Sequence, residues 1–175
     1  NRLCYDDRSS FYRINVETLD INSESGRLAL SLLSVVPLYD KNVFSRMKEK
    51  QINRVEVSVR EINFSGFKLE ALHQKIFAAD DLKILGCDLD LYRDKRVPFR
   101  NETEIPMPME ALKNLPVAID IKRVDLVEAL VRYEEFALKG KMSGKVFFEK
   151  VNVGIQSFTN RPKPNSPEYM RVDIS

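Results

Sequence analysis

The chain has little of what enzyme chemistry most often uses: its 175 residues include one histidine, two cysteines and no tryptophan. The single His73 has no serine or cysteine in a nucleophile motif beside it, which removes the usual routes to Ser–His or Cys–His catalysis. It reads as a surface or boundary residue. No GxGxxG, GxxxxGKS/T or HExxH string occurs, so phosphate cradles and zinc-hydrolase helices find no support. Cys4 and Cys87 lie far apart, with no CxxC and no companion histidines. They imply neither a disulfide framework nor a zinc site, although an oxidising compartment leaves open a Cys4–Cys87 bridge. No metal site and no cofactor are expected.

Charge of one sign and long apolar runs are also missing. Lys and Arg total 28 against 26 Asp and Glu, a formal charge of +2, so nothing global favours a nucleic-acid partner. The longest apolar stretch, Leu28 to Leu38, is interrupted by Ser31 and Ser34 and stopped by Pro37. It falls short of the ~18 residues of a membrane span. The chain starts at Asn1 without a basic-then-apolar leader and stops inside the alternating Arg171–Ser175. Both ends are read as cuts in something longer.

What is present is alternation. With 43 % apolar and 31 % charged residues, the chain has enough to bury a core, and its length fits one β-rich domain over residues 1–175. Tyr12, Ile14 and Val16 share one strand face, and Val55, Val57 and Val59 alternate with Arg54, Glu56, Ser58 and Arg60, which gives a sheet with one wet side. Leu28, Leu30 and Leu32 alternate and then change phase at Leu33 and Val35, the mark of a bulge or of a strand covered on both sides. Further alternation runs through Leu82–Leu91, Val117–Tyr133 and Val151–Ile155. Asp40 is a fitting N-cap for a short helix over Lys41–Lys50, with Val43, Phe44 and Met47 on one side; Leu69–Gln74 and Met109–Leu115 suit one or two further turns. Residues 93–116, charged and proline-rich, read as a connector inside the domain, and the three prolines of Arg161–Pro167 demand a loop.

A weak internal repeat accompanies the alternation. INFSGFKL (62–69), LKILGCDL (82–89) and VDLVEALV (124–131) each read apolar, any, apolar, two spacers, apolar, any, apolar. Two spacers shift a period of two by one residue, so each copy needs a kink that returns the apolar side chains to one face. The copies start 20 and 42 residues apart, which rules out a strict solenoid. The expected architecture is mainly β: an elongated, curved, antiparallel sheet, groove-like or an open sandwich, with one to three short helices.

Charged candidates are few. Asp88 and Asp90 share the polar face of a strand whose other face carries Cys87, Leu89 and Leu91, and Glu134–Glu135 lacks a partner to split two carboxyl pKa values. A hydrolase built on Asp88, Asp90 or Glu134 is an alternative. Arg93, Lys95, Arg96 and Arg100 form the one basic cluster, placed to meet a phosphate headgroup or an acidic partner, or simply to be solvated with Asp94 and Glu102. Asn63-Phe64-Ser65 and Asn101-Glu102-Thr103 fit a glycosylation acceptor, which matters only in a eukaryotic secretory route.

Several strings carry a family resemblance: Leu91-Tyr92-Arg93-Asp94-Lys95-Arg96-Val97-Pro98, Leu115-Pro116-Val117, Val131-Arg132-Tyr133-Glu134-Glu135, Gly144-Lys145-Val146-Phe147-Phe148 and Ser157-Phe158-Thr159-Asn160. Through them the stretch Ile52–Asn160 resembles the AsmA-like and TamB-like envelope proteins, most of all their relatives in Bacteroides-type bacteria. The resemblance implies a large periplasmic protein, tethered to the inner membrane by a helix outside this chain. It implies a long apolar β-groove along which phospholipid or another acyl-chain ligand passes, other envelope proteins as further partners, and no catalytic residues. The long charged and proline-rich segment departs from that picture. Groove lining would fall to Val55, Val57, Val59, Ile119, Ile121, Val151, Val153 and Ile155, each of which equally suits a plain hydrophobic core. A closed β-sandwich that binds a protein or glycan is the other reading, and it differs in burying both apolar faces.

Overall fold

In the computed structural model, which describes residues 3–7, 9–98, 113–161 and 170–175, the alternating segments become nine strands hydrogen-bonded into one sheet. In chain order they are β1 (Leu3–Asp7), β2 (Tyr12–Val16), β3 (Thr18–Asn22), β4 (Arg27–Pro37), β5 (Asn53–Ser65), β6 (Ile76–Asp94), β7 (Ala118–Phe136), β8 (Ser143–Thr159) and β9 (Arg171–Ile174). Their spatial order is β1-β2-β4-β5-β6-β7-β8-β9, with β3 also pairing β4. The strand of Tyr12, Ile14 and Val16 stops at Val16 and a separate one follows: β2 pairs with the end of β4 near Val35, and β3 with its start near Leu28.

The sheet is mainly β in character, open and curved, as the alternation requires, yet it is mixed and not antiparallel throughout. β6 and β7 run parallel over their whole lengths, from Ile76 opposite Ala118 to Asp94 opposite Phe136. A parallel pair needs a crossover of a dozen residues or more, and the chain from Lys95 to Val117 supplies it. The connector thus starts after Asp94; Arg93 and Asp94 belong to β6. Most of its remainder, with Arg100 and the greater part of the Met109–Leu115 turn, lies outside the described residues, as does most of the proline loop after Asn160.

Two short helices accompany the sheet. α1 (Lys41–Lys48) starts where Asp40 Oδ1 accepts hydrogen bonds from the Asn42 and Val43 N–H groups at 3.0 and 2.9 Å, and it ends at left-handed Glu49. Of its expected apolar side only Phe44 is buried, edge-on to Tyr12 at 5.6 Å, while Val43 and Met47 stay exposed. A 3₁₀ turn (Leu69–Gln74) carries the exposed His73.

The internal repeat is structural in two of its three copies. The fifth residues of the second and third, Gly86 on β6 and Glu128 on β7, sit in the left-handed region inside their strands at φ 60 and 53°, the kink that two spacers call for, whereas Gly66 of the first (φ 62°) follows the end of β5 and leads toward the 3₁₀ turn. The offset of 42 residues between the second and third copies equals the register of the parallel pair, so Leu82–Leu89 lies alongside Val124–Val131. Leu32 (φ 50°) on β4 and Lys150 (φ 55°) on β8 extend the same row of kinks, which is why Leu32 is exposed while Leu33 keeps the apolar phase.

Candidate functional site

Because the long strands β4 to β8 reset their phase along one row, the cross-strand partners on one face are apolar across the sheet. One row reads Ile21, Leu28, Phe64, Leu82, Val124, Ile155, Val172; the next reads Leu19, Leu30, Ile62, Ile84, Leu126, Val153, Ile174. Beyond the kinks the row Ile14, Val35, Val57, Leu89, Val131, Phe148 continues it, followed by Val55, Leu91, Tyr133, Val146. All eight lining candidates fall on this face. Val59 and Ile121 are buried, and Val55, Val57, Ile119, Val151, Val153 and Ile155 are half-buried.

Among the described residues nothing comparable packs on top: their contacts run between strands adjacent in the sheet and between the two short helices and β5 or β6. The closed β-sandwich is therefore not what these strands form. The packed core is small: Ala79, Ile121 and Val124, with Phe64, Phe77, Leu82 and Phe158 against them, at one end of the face. There Phe64, Phe77, Leu82, Val117, Ile119, Ile121 and Phe158 also line an open, wholly apolar furrow of about 340 Å³. At the opposite end the face turns polar. Arg93 follows Leu91 in phase, the Tyr133 hydroxyl donates to Glu135 at 2.6 Å, and Lys95 pairs with Glu135 at 2.8 Å.

Of the four basic candidates, the three that are described do not form one patch. Arg93 and Lys95 stand at this polar lip, and the Arg93 Nε is buried without a hydrogen-bond partner. Arg96 lies on the other side, bonded to Asp94 at 2.7 Å and stacked over the Phe136 ring at 3.5 Å. The Arg96 bond, against the effect of burial, holds the Asp94 carboxyl below its ordinary value. Lys95 and then Tyr133 do the same for Glu135.

The reverse face is charged, with rows such as Glu56, Asp90, Arg132 and Arg54, Tyr92, Glu134, Lys145. These residues and Lys41 of α1 enclose a cavity of about 610 Å³. It brings Asp90 and Glu134 together, each already neutralised by a cation. Arg132 reaches Asp90 at 2.8 Å and Asp88 at 3.4 Å, while Glu134 accepts from Lys41 and from the Ser143 hydroxyl. Burial pushes Glu134 up, but the Lys41 and Ser143 bonds outweigh it and leave the carboxyl below its ordinary value. A general acid at neutral pH needs the reverse shift. Among the described residues no group of His, Cys, Asp and Glu is placed to hold a metal ion.

The lining candidates left out the centre of the apolar face, Leu82, Ile84, Leu89 and Leu91 on β6 and Val124, Leu126 and Val131 on β7, although the two-spacer pattern already set the apolar residues of 82–89 and 124–131 on one face. Cys4 on β1 and Cys87 on β6 are free, with three strands between them. Strands ~4.8 Å apart leave roughly 19 Å, beyond any disulfide.

No protein-family model matches the chain, and no curated protein and no solved structure is significantly similar to it.

Proposed function

We propose that the chain is a non-enzymatic segment of a periplasmic, AsmA-like envelope protein whose open sheet face carries phospholipid acyl chains. The observation that carries this reading is the continuous apolar face, on which no second layer packs among the described residues. Exposing an acyl chain to water costs about 0.8 kcal/mol per CH₂, so a track of Val, Leu, Ile and Phe lowers the cost of movement without any reactive group. Length supports a track over a pocket. Nineteen-residue strands such as β6 and β7 span about 60 Å, several times the ~15 Å that one chain fills in half a bilayer core. The polar lip of Arg93, Tyr133 and Lys95 suits a phosphate-bearing headgroup at one end. The resemblance of Ile52–Asn160 to the AsmA-like and TamB-like proteins agrees, and it supplies the inner-membrane tether and envelope partners that this reading includes. No helix among the described residues is long and apolar enough to cross a membrane.

Native mass spectrometry of the chain isolated from a bacterial envelope tests the reading. Phospholipid should co-purify, and Leu89→Glu, in the middle of the face, should reduce the bound fraction about tenfold or more while the β-sheet circular dichroism persists. Asp90→Asn, on the charged face, should leave it unchanged. Lipid-free protein, or lipid indifferent to Leu89→Glu, sinks the proposal.

A further inference from the structure

The outer edge of β8 is only half used. β9 pairs with Val153–Gln156, and Ser175 closes that ladder on Asn152 with bonds of 2.8 and 3.0 Å. From Gly144 to Lys150 no strand among the described residues pairs with this edge. An open edge is a template for another strand, and proteins that leave one unoccupied blunt it with prolines, inward charges or short length. This one is long and greasy instead: Val146, Phe147 and Phe148 are 52, 66 and 57 % exposed. Phe147 is the odd one. It stands on the charged face, between Lys145 and Glu149, where nothing covers it.

We propose that this edge pairs antiparallel with the same edge of a second copy, about a two-fold axis at Phe147. The occupant follows from self-complementarity. Antiparallel pairing centred on residue 147 sets Phe147 against Phe147 of the other copy. It sets Lys145 against Glu149, and Glu149 against Lys145, on the same face. On the opposite face Val146 meets Phe148 twice. A centre on Val146 or on Phe148 would set Phe147 against Lys145 or against Glu149 instead, and the two charges would no longer face each other. The axis is perpendicular to the sheet, so the two apolar faces lie on the same side. The row Leu89, Val131, Phe148 then runs on into Val146, Tyr133, Leu91 of the second copy, doubling the width of the uncovered face. The pairing stops short of Asn152, so β9 does not obstruct it. It depends only on the β8 edge and holds whether or not the face carries lipid.

Sedimentation equilibrium of the 175-residue chain across a concentration series should report a reversible dimer, twice 20.3 kDa. Lys145→Glu and Glu149→Lys each place like charges opposite one another and should weaken association about tenfold or more. The double variant restores opposite charges and should return association to within roughly threefold of the original. Both side chains are exposed, so folding is not at stake. In a background of Cys4→Ser and Cys87→Ser, oxidation should cross-link Phe147→Cys, whose Cα atoms face each other within disulfide reach. Lys145→Cys should stay uncross-linked, because four residues of offset separate its copies by about 14 Å. A monomer at every concentration, a dimer indifferent to either single reversal, failure of the double variant to recover, or cross-linking at 145 instead of 147 would each overturn the proposal.

Discussion

Single residues set the curvature through their backbone conformation. Gly86 occupies φ 60° with its α-carbon facing Arg60, so an added Cβ would lie 3.2 Å from the Arg60 side chain. Its register neighbour Glu128 holds φ 53° without a glycine's freedom. An L-residue in the left-handed region costs about 1–2 kcal/mol. Gly86→Ala should therefore lower stability by about that much in urea titration. Glu128→Gly should be neutral or mildly stabilising, since relief of strain offsets the added freedom of the unfolded chain. Equal losses in both variants would mean that the kink row is not a conformational requirement. Gly66 is tighter still: a Cβ there would come within 2.1 Å of Asp80 Oδ2.

At the scale of elements, α1 is held to the charged face by polar contacts more than by apolar area. Phe44 is its one buried apolar side chain, and Lys41 bonds Glu134 while its ammonium lies over the Tyr92 ring at 5.3 Å. Arg54, beneath, donates to the Tyr39 carbonyl just before the helix. Asp94, Glu134 and Glu135 all have folded pKa values below their ordinary ones. A carboxyl depressed on folding contributes stability above its unfolded pKa of about 4 and loses it as pH falls through the folded value. The urea midpoint should thus hold between pH 7 and 5 and drop below about pH 4. Glu134→Gln should flatten that acid limb and release α1 first, seen as faster amide exchange at Phe44 and Ser45. An acid limb unaltered by the substitution would remove Glu134 from the account.

At the scale of the whole molecule the defining property is imbalance: among the described residues ten hydrophobic side chains are buried, three of them in the packed cluster, and rows of half-buried ones lie outside it. A face about 60 Å long is more than one lipid needs. Titration with a fluorescent fatty acid should therefore saturate above one chain per protein, and the charged lip at Arg93 should be dispensable for the first chain bound. Saturation at one chain, lost on Arg93→Ala, would indicate a discrete pocket at that lip instead of a track.

Much of this was legible in one dimension. Period-two alternation gave Val55–Val59, Ile119–Ile121 and Val151–Ile155 each an apolar face, and the spacer pattern of 82–89 and 124–131 called for a kink in each, which the structure places at Gly86 and Glu128. Side-chain direction in a strand depends only on local backbone phase, so the amino-acid order by itself determined which residues are greasy together and where each strand must bend. Partnership was not local. That β6 and β7 run parallel, that Asp90 and Glu134 share a cavity with Lys41, and that Arg93 and Arg96 point to opposite sides all depend on contacts between residues some forty or more apart in sequence or on the face a register assigns. Only the assembled sheet decided them, because hydrogen-bond register and the presence or absence of a second layer are properties of the closed set of contacts and of no single segment.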